Sequence, residues 1–284
     1  MSAELAYVSD AHDTLSPANF RRLSEFIHGY SGIKMPPAKK TMLEGRLRRR
    51  LRERRMGSFD EYCAFLFQQG GIDAEAIHLI DVVTTNKTDF FREPAHFDFL
   101  VNKALPGFQK EGRRQVQVWS SACSIGAEPY TIAMLMDDYC REHRGLDYSI
   151  FATDLCTQVL GEALIGIYPA AMIEPVPIAL RERHVLVPRD GSQKVVRMAP
   201  HLRSKLSFAR QNLMDAKYAA PRDLDMIFCR NLLIYFDKPT QAAVLKRLCA
   251  HLRPGGYLFL GHSETIVGVE LPVRTVSGTV FQRI

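Results

Sequence analysis

No stretch of this 284-residue chain holds the roughly 20 consecutive apolar residues that a membrane-crossing helix requires. The start, Met1-Ser2-Ala3-Glu4, lacks a basic segment followed by an apolar one, so no secretory leader is expected and the cytoplasm is the expected compartment. Among the six cysteines (Cys63, Cys123, Cys140, Cys156, Cys229 and Cys249) there is no Cys-x-x-Cys pair, and no histidines accompany them at zinc-ligand spacing. Free thiols are therefore expected, with neither a disulfide framework nor a metal site. The Gly-Lys-Ser/Thr of a phosphate-binding loop is missing, and no turn carries the three glycines of a dinucleotide fingerprint. Internal repeats and low-complexity tracts are absent too. The 46% hydrophobic and 24% charged residues are those of a soluble folded protein.

Charge is present mainly in one place. Residues 34–55 carry ten basic side chains (Lys34, Lys39, Lys40, Arg46, Arg48, Arg49, Arg50, Arg52, Arg54, Arg55) against Glu44 and Glu53, a local charge of +8 in a chain whose total is +6. A cationic element of this kind implies an acidic partner: nucleic acid, an anionic membrane or an acidic protein surface.

Periodicity divides the chain. Residues 1–15 show none. Ser16-Pro17 reads as a helix cap followed by proline at the first helical position, predicting a helix over Pro17–Tyr30 that buries Phe20, Leu23, Phe26 and Ile27. A second helix, Ala38–Met56, sets Leu43, Leu47 and Leu51 in a narrow stripe among arginines. A third follows Ser58 as far as Phe67, and a fourth, Asp73–Thr85, links this all-α region (16–72) to what comes next. From about residue 115 strands alternate with helices, which argues a parallel sheet with crossover helices. Strands are expected at Val116–Ser120, Tyr148–Thr153, Leu206–Arg210, Asp225–Cys229 and Tyr257–Gly261. Helices are expected at Glu128–Arg141, Thr157–Leu164 and Thr240–Leu252, the last closed by Pro254-Gly255-Gly256. A hairpin turning at Asp190-Gly191 is expected as an insertion near 185–210, and two short strands around Gly278 at the end.

In such a sheet ligands bind beyond the carboxyl ends of the strands. The first strand breaks into Ser120-Ser121-Ala122-Cys123-Ser124-Ile125-Gly126-Ala127-Glu128-Pro129-Tyr130, a small-residue turn opening a helix, which suits a nucleoside-type ligand approaching the backbone. Asp154, closing the second strand, is placed either to accept the two hydroxyls of a ribose or to cap the next helix. Glu128 is either a ligand acceptor or a carboxylate favoured by the helix dipole. Core packing accounts for Leu232, Leu233, Ile234 and Phe236 after the fourth strand but not for Arg230 and Asn231. In Thr84–Glu93, Asn86 and Thr88 can bond a polar ligand end, and Arg92 can pair with a carboxylate. Cys123 and Cys229 lie in these segments, compatible with an accessible thiol or with a buried small hydrophobe.

These segments, in this order and spacing, resemble the CheR family, S-adenosylmethionine-dependent methyltransferases that act on glutamate side chains of bacterial chemoreceptors. The resemblance runs from Phe20 to Phe281. It is most specific at Thr84-Thr85-Asn86 with Phe90-Phe91-Arg92-Glu93, at Trp119-Ser120 with Gly126 and Glu128-Pro129-Tyr130, at Thr153-Asp154, at Phe228-Cys229-Arg230-Asn231 with Ile234-Tyr235-Phe236, and at Gly261-His262-Ser263-Glu264. It implies an α/β fold: a Rossmann-like class I methyltransferase domain (94–284) with a mostly parallel seven-stranded sheet and the 185–210 β-insertion. A small all-α domain precedes it, joined by the linker helix and loop 73–93. By carry-over, Asn86, Thr88, Arg92, Glu128, Asp154, Asn212, Leu213, Asn231 and Leu232 line the S-adenosylmethionine site, whose product is S-adenosylhomocysteine. Arg92 and Tyr235 face the reacting centre. Arg46, Arg49, Arg50 and Arg52 match the family's basic helix, held to face the acidic receptor bundle, and in some members the β-insertion binds a short C-terminal receptor peptide. Ile125 and Ala127 depart from the family turn, which usually has Thr or Ser before the glycine and Glu after it. The resemblance implies a monomer without nucleic-acid partner or membrane insertion. A nucleic-acid or other protein methyltransferase, and a non-catalytic cofactor-binding module, are the alternative readings.

Overall fold

Ser16 and Ser58 begin helices for the same reason. Each hydroxyl accepts a backbone N–H three residues on, from Asn19 at 3.2 Å and from Glu61 at 3.1 Å, satisfying a donor that a helix start leaves bare. The structure, a computed structural model, describes residues 13–188 and 194–284. The expected loose start, but for residues 13–15, and the Asp190-Gly191 turn lie outside them. The chain divides into two compact units: the described residues up to Thr85 with Tyr235–Asp237, and Asn86–Ile234 with Lys238–Ile284.

The first unit consists of α1 (Pro17–Ser31), α2 (Lys40–Arg54), α3 (Phe59–Phe67) and α4 (Ile72–Val83). Leu23, Ile27, Leu43, Leu47, Leu51, Tyr62 and Leu79 form its interior, while Phe26 is only half-buried against Tyr30 and Phe67. The helix expected to serve as a linker is part of this core. Arg46 reaches across to the end of α4, donating to Val83 O and, at 2.7 Å, to Thr84 O. The buried Glu75 carboxylate pairs with Arg50, whose Nη2 lies 2.8 Å away, and accepts the Tyr62 hydroxyl at 3.1 Å. The boundary therefore falls after Thr85, not after Ile72. Two of the four arginines assigned to a partner are spent on folding: Arg46 holds orphan carbonyls of a helix end and Arg50 neutralises a buried charge. Replacing Arg46 by Ala is expected to cost about 1–3 kcal/mol, since it strips charged donors from two carbonyls, as a urea titration will read.

The second unit opens with α5 (Ala95–Phe99), a π-helical turn and α6 (Leu105–Lys110), a stretch for which no element was expected. β1 (Gln115–Ser120), α7 (Ala127–Glu142), β2 (Asp147–Asp154), α8 (Thr157–Ile165), β3 (Ile167–Pro169), α9 (Ile178–His184), β4 (Val185–Leu186), β5 (Val195–Met198), α10 (Pro200–Arg203) and β6 (Leu206–Arg210) follow. β7 (Leu224–Cys229), α11 (Lys238–Cys249), β8 (Leu252–Leu260), β9 (Val273–Ser277) and β10 (Val280–Arg283) complete it. The main sheet has seven strands in the order β6-β2-β1-β7-β8-β10-β9. The first five run parallel, and β10 and β9 are antiparallel, as the pairing around Gly278 predicts. All six residues of β7 are buried, as a strand covered on both faces requires.

Two expectations are corrected. Pro254-Gly255-Gly256 does not close a helix: α11 ends at Cys249, and the ladder that pairs Leu224 with Leu252 next pairs Met226 with Tyr257, so residues 253–256 bulge within β8. Gly256 sits where a Cβ would come within 3.1 Å of the Leu224, Asp225 and Arg253 carbonyls, a backbone approach only glycine permits. The inserted sheet is also wider than a hairpin. β5 pairs with β4 and with β3, so it begins near Ile167 and ends at Met198, while 206–210 is the edge of the main sheet. A hairpin read from sequence sees only neighbouring strands; β3 reaches β5 across α9.

Candidate active site at the carboxyl ends of the strands

Sequence order in the sheet runs outward from β1 through β2 to β6, then restarts at β7 on the other side of β1. The reversal leaves a crevice beyond the carboxyl ends of β1 and β7, where the loops part in opposite directions. The turn after β1 fills its floor. Ser121 N–H donates to Phe228 O at 2.9 Å, Cys123 N–H to Thr153 O at 2.8 Å and Gly126 N–H to Cys123 O at 2.9 Å, so the ends of three strands are tied together. Gly126 adopts φ 94°, and a Cβ there would meet the Tyr168 hydroxyl at 2.9 Å and Ala163 Cβ at 3.0 Å. The single glycine of the turn is demanded by its own neighbours.

Asp154 organises this turn. Its Oδ2 accepts the Ser124 N–H at 2.8 Å and its Oδ1 the Cys156 N–H at 2.9 Å. The helix-cap reading is thereby excluded, because the cap of α8 is Cys156 itself. Asn212 and Leu213 follow β6, and Gln211 N–H donates to Asp154 O at 3.0 Å, which brings that segment beside the same carboxylate. Asn212 Oδ1 is turned to its own backbone, accepting Met214 N–H at 3.0 Å.

Across the crevice lies a buried charge network. Arg230, with a side chain only 2% exposed, donates from Nη1 to Glu128 Oε2 at 3.0 Å and from Nη2 to Glu93 Oε2 at 3.2 Å and to Arg92 O. Glu128 Oε1 accepts the Ser120 hydroxyl at 2.7 Å. Glu93 Oε1 accepts the Asn231 amide at 3.0 Å, while Glu264 collects the backbone N–H groups of Gly261, Asn231 and Leu233 at 2.6, 3.0 and 2.7 Å. Burial opposes ionisation of Glu93, but the Asn231 amide and the Arg230 charge outweigh it and hold the carboxyl below its ordinary range. At Glu264 burial wins over the N–H donors and pushes the carboxyl up. Phe91, Glu93, Ser124 and Asn231 all have left-handed backbones, with φ of 55°, 59°, 50° and 56°. Four non-glycine residues in that sparsely populated region, gathered in the loops of one crevice, mark strain that the surrounding bonds maintain.

The structure places Asn86, Arg92, Asn212, Leu213 and Asn231 in loops of one unit, with Glu128 in the first turn of α7 and Asp154 at the end of β2. Asn86 O accepts the Ser124 hydroxyl at 2.7 Å, and Arg92 Nη1 donates to Lys87 O at 3.2 Å, closing the loop that holds Thr88. Leu232 is half-buried behind Asn231. Tyr235 belongs with the first unit, where its carbonyl accepts Lys34 N–H at 3.2 Å and the Lys39 ammonium stands 5.7 Å over its ring. Cys123 and Cys229 are buried, and burial raises both thiols, so the small-hydrophobe reading holds for each. Ile125 and Ala127 are packing positions: Ala127 is fully buried and Ile125 lies against the main core. Glu93, Arg230 and Glu264, the centre of the network, are not among the residues that the resemblance assigns to the site. The signal was present, since an arginine amid Leu224–Phe236 is buried only if carboxylates meet it.

His96 borders the network. Its Nε2 lies 2.9 Å from the Thr279 hydroxyl, which itself donates to Leu260 O at 2.8 Å. Nε2 must therefore carry the proton, leaving Nδ1 as a lone pair. Burial, helped by the Arg230 charge, pushes His96 down to about 4. The folded pKa is below the unfolded one, so the unfolded state binds the extra proton and stability falls as pH drops from about 6.5 to about 4. The loss over that window should be about 3 kcal/mol, seen as a slope in denaturant midpoints that His96→Gln makes shallower. Parallel slopes in the two proteins would refute the assignment.

The turn also tells what kind of ligand fits. Its Ser121, Cys123, Ser124 and Gly126 N–H groups are all bonded within the protein, which leaves none of them to cradle a pyrophosphate. The carboxylates at the strand ends are acceptors instead: Asp154 takes the Ser124 and Cys156 N–H groups, and Glu128 the Ser120 hydroxyl and the Arg230 guanidinium. Fold and site together define a Rossmann-like methyltransferase built for S-adenosylmethionine. Comparison with known families agrees: the CheR methyltransferase SAM-binding domain matches residues 86–282 and the CheR methyltransferase all-alpha domain residues 18–84. The chain belongs to the CheR family. It is 40% identical over 269 residues to the chemotaxis protein methyltransferase of Klebsiella aerogenes, covering 94% of this chain and 90% of that one. It is 38% identical over 252 residues to that of Borreliella burgdorferi (87% and 88% covered) and 36% identical over 267 residues to that of Escherichia coli (94% and 91%). No helix among the described residues is long and apolar enough to cross a membrane.

Proposed function

We propose that this chemotaxis-related methyltransferase esterifies glutamate side chains of methyl-accepting chemoreceptors in the cytoplasm, producing glutamate methyl esters and S-adenosylhomocysteine. The observation that carries the reading is the state of the carboxylates at the strand ends. Asp154, Glu128, Glu93 and Glu264 each accept backbone, hydroxyl, amide or guanidinium donors, and none stands ready as a general base. A hydroxyl or amine acceptor would need such a base; a glutamate, already ionised at neutral pH, does not.

When bound, S-adenosylmethionine supplies an electrophilic methyl on a sulfonium. The protein's share is alignment and exclusion of water from two charges that neutralise each other in the transition state. Asn86, Thr88, Arg92, Glu128, Asp154, Asn212, Leu213, Asn231 and Leu232 are proposed to hold the cofactor, with Asp154 on the ribose hydroxyls. Arg92 orients the receptor carboxylate. Arg92 must not bind the nucleophile too well, since ground-state stabilisation slows attack.

Receptor cytoplasmic fragments incubated with methyl-labelled cofactor should release base-labile methanol, which only carboxyl esters do. Label that stays on the protein after base, or that moves to nucleic acid, would replace this reading with another methyl acceptor. Cofactor binding without any transfer would make the chain a binding module.

Of the four arginines matched to the family's basic helix, Arg49 and Arg52 are exposed, and Arg49 pairs with the neighbouring Glu53. These two, rather than Arg46 and Arg50, are proposed to meet the acidic receptor. Reversing both to Glu should slow receptor methylation about tenfold at low salt and leave the melting temperature unchanged. An equal effect at high salt would rule out the electrostatic role, because exposed charges are screened there.

A further inference from the structure

Some way from the crevice, three chain segments bring a second set of polar side chains together. His184, at the end of α9, is fully buried, and its Nε2 lies 2.9 Å from Asp138 Oδ1 on α7. A carboxylate at that distance fixes the proton on Nε2, so Nδ1 presents a lone pair. That lone pair faces another ring nitrogen, His201 Nε2 on α10, at 3.0 Å. Asp137 Oδ2 stands 3.9 Å from the same His201 nitrogen. The three donor atoms all fall within 4.8 Å of one another.

From this geometry we propose that Asp137, His184 and His201 bind one zinc-class divalent cation, with water completing the shell and Asp138 as the partner that orients His184. Two imidazoles and one carboxylate are the donor set of borderline transition metals, not of magnesium or calcium, which take oxygen ligands. The Asp138–His184 pair is the carboxylate–histidine arrangement that sets tautomer and ring direction at such centres. Asp137 Oδ2 also accepts Arg141 Nε at 2.6 Å; that side chain is 53% exposed and moves into solvent as the metal enters. Sequence spacing could not reveal the set, because the two histidines are 17 positions apart and His184 is 46 from Asp138. Asp137 lies about 15 Å along α7 from the turn at Gly126, by the rise of a helix, so the metal has no part in the methyl transfer. It ties α9 and α10, which flank the inserted sheet, to the helix that begins at the cofactor turn.

The full chain without a purification tag, stripped with a chelator, is titrated with Zn(II) by calorimetry and with Co(II) by visible absorption. Wild type should take up one equivalent with a rise in melting temperature, Co(II) should give the intense bands of a four-coordinate centre, and Mg(II) should do nothing. His201→Gln, at a partly exposed position, should weaken binding at least about tenfold, and Asp138→Ala about 10- to 100-fold. Glu93, His96 and His262 form another candidate cluster, so His262→Gln serves as the control and should leave uptake unchanged. Absence of uptake by wild type, uptake insensitive to His201→Gln, or uptake lost in His262→Gln overturns the proposal.

Discussion

Replacing Arg230 by methionine is expected to lower the stability of the folded chain by about 3–5 kcal/mol at neutral pH. Methionine fills similar apolar volume, so the effect isolates the charge. Arg230 pairs with Glu128 and Glu93, whose side chains are 12% and 11% exposed, and it also holds the Arg92 carbonyl. Removing the cation strands two carboxylates in a poorly hydrated place, and the cost of an unpaired buried charge exceeds the net worth of the pair. Two consequences separate this from a packing defect. The deficit should shrink as pH falls, because the stranded carboxyls can then protonate, and the double variant Arg230→Met/Glu128→Gln should be more stable than Arg230→Met alone. Urea titrations of the four proteins of that cycle measure the coupling. A deficit below about 1 kcal/mol, or one that does not change with pH, would show that the network is hydrated and carries little.

Changing Asp154 to alanine should weaken S-adenosylmethionine binding about 100-fold while the fold survives. Two effects combine. The Ser124 and Cys156 N–H groups lose a charged acceptor, each such bond contributing about 1.5–3 kcal/mol, so the left-handed Ser124 is no longer held and the turn relaxes. A ligand hydroxyl, on the proposed reading, loses its acceptor as well. A net loss near 3 kcal/mol corresponds to about two powers of ten in affinity. Asp154→Asn should fall between, since an amide keeps one acceptor oxygen and loses the charge. Calorimetry with S-adenosylhomocysteine, free of turnover, decides the matter: affinity of the Ala variant within threefold of wild type would leave Asp154 a structural residue only.

The strand at 224–229 is legible because a parallel strand buried on both faces reads as a near-continuous apolar run, those at 115–120, 147–154 and 206–210 because short segments rich in apolar and β-forming residues alternate with helices, and helix starts are legible from serine caps. Residues 95–110 escaped. Their apolar positions change phase at the π-helical turn Leu100–Ala104, which spoils a 3.6-residue period. Pro254-Gly255-Gly256 misled for the opposite reason: proline and glycine punctuate local structure in general, but a wide bulge in a strand uses the same residues as a helix end. Arg46 and Arg50 were read with Arg49 and Arg52 as one cationic face, since sequence shows charge and not which way a side chain turns. Only α4, packed on α2, shows that the first two are consumed inside the unit.

By itself the sequence determined the class of fold, the family and the cofactor, because these depend on local patterns and on motifs whose residues lie close together in the chain. The tertiary structure decided what the charged and polar side chains do. Arg230 and Glu93 are 137 positions apart, and Ser124 and Asp154 are 30 apart. Whether such a group is exposed, paired or holding a strained turn depends on what folding brings against it, and burial multiplies the energy of that choice several-fold relative to water.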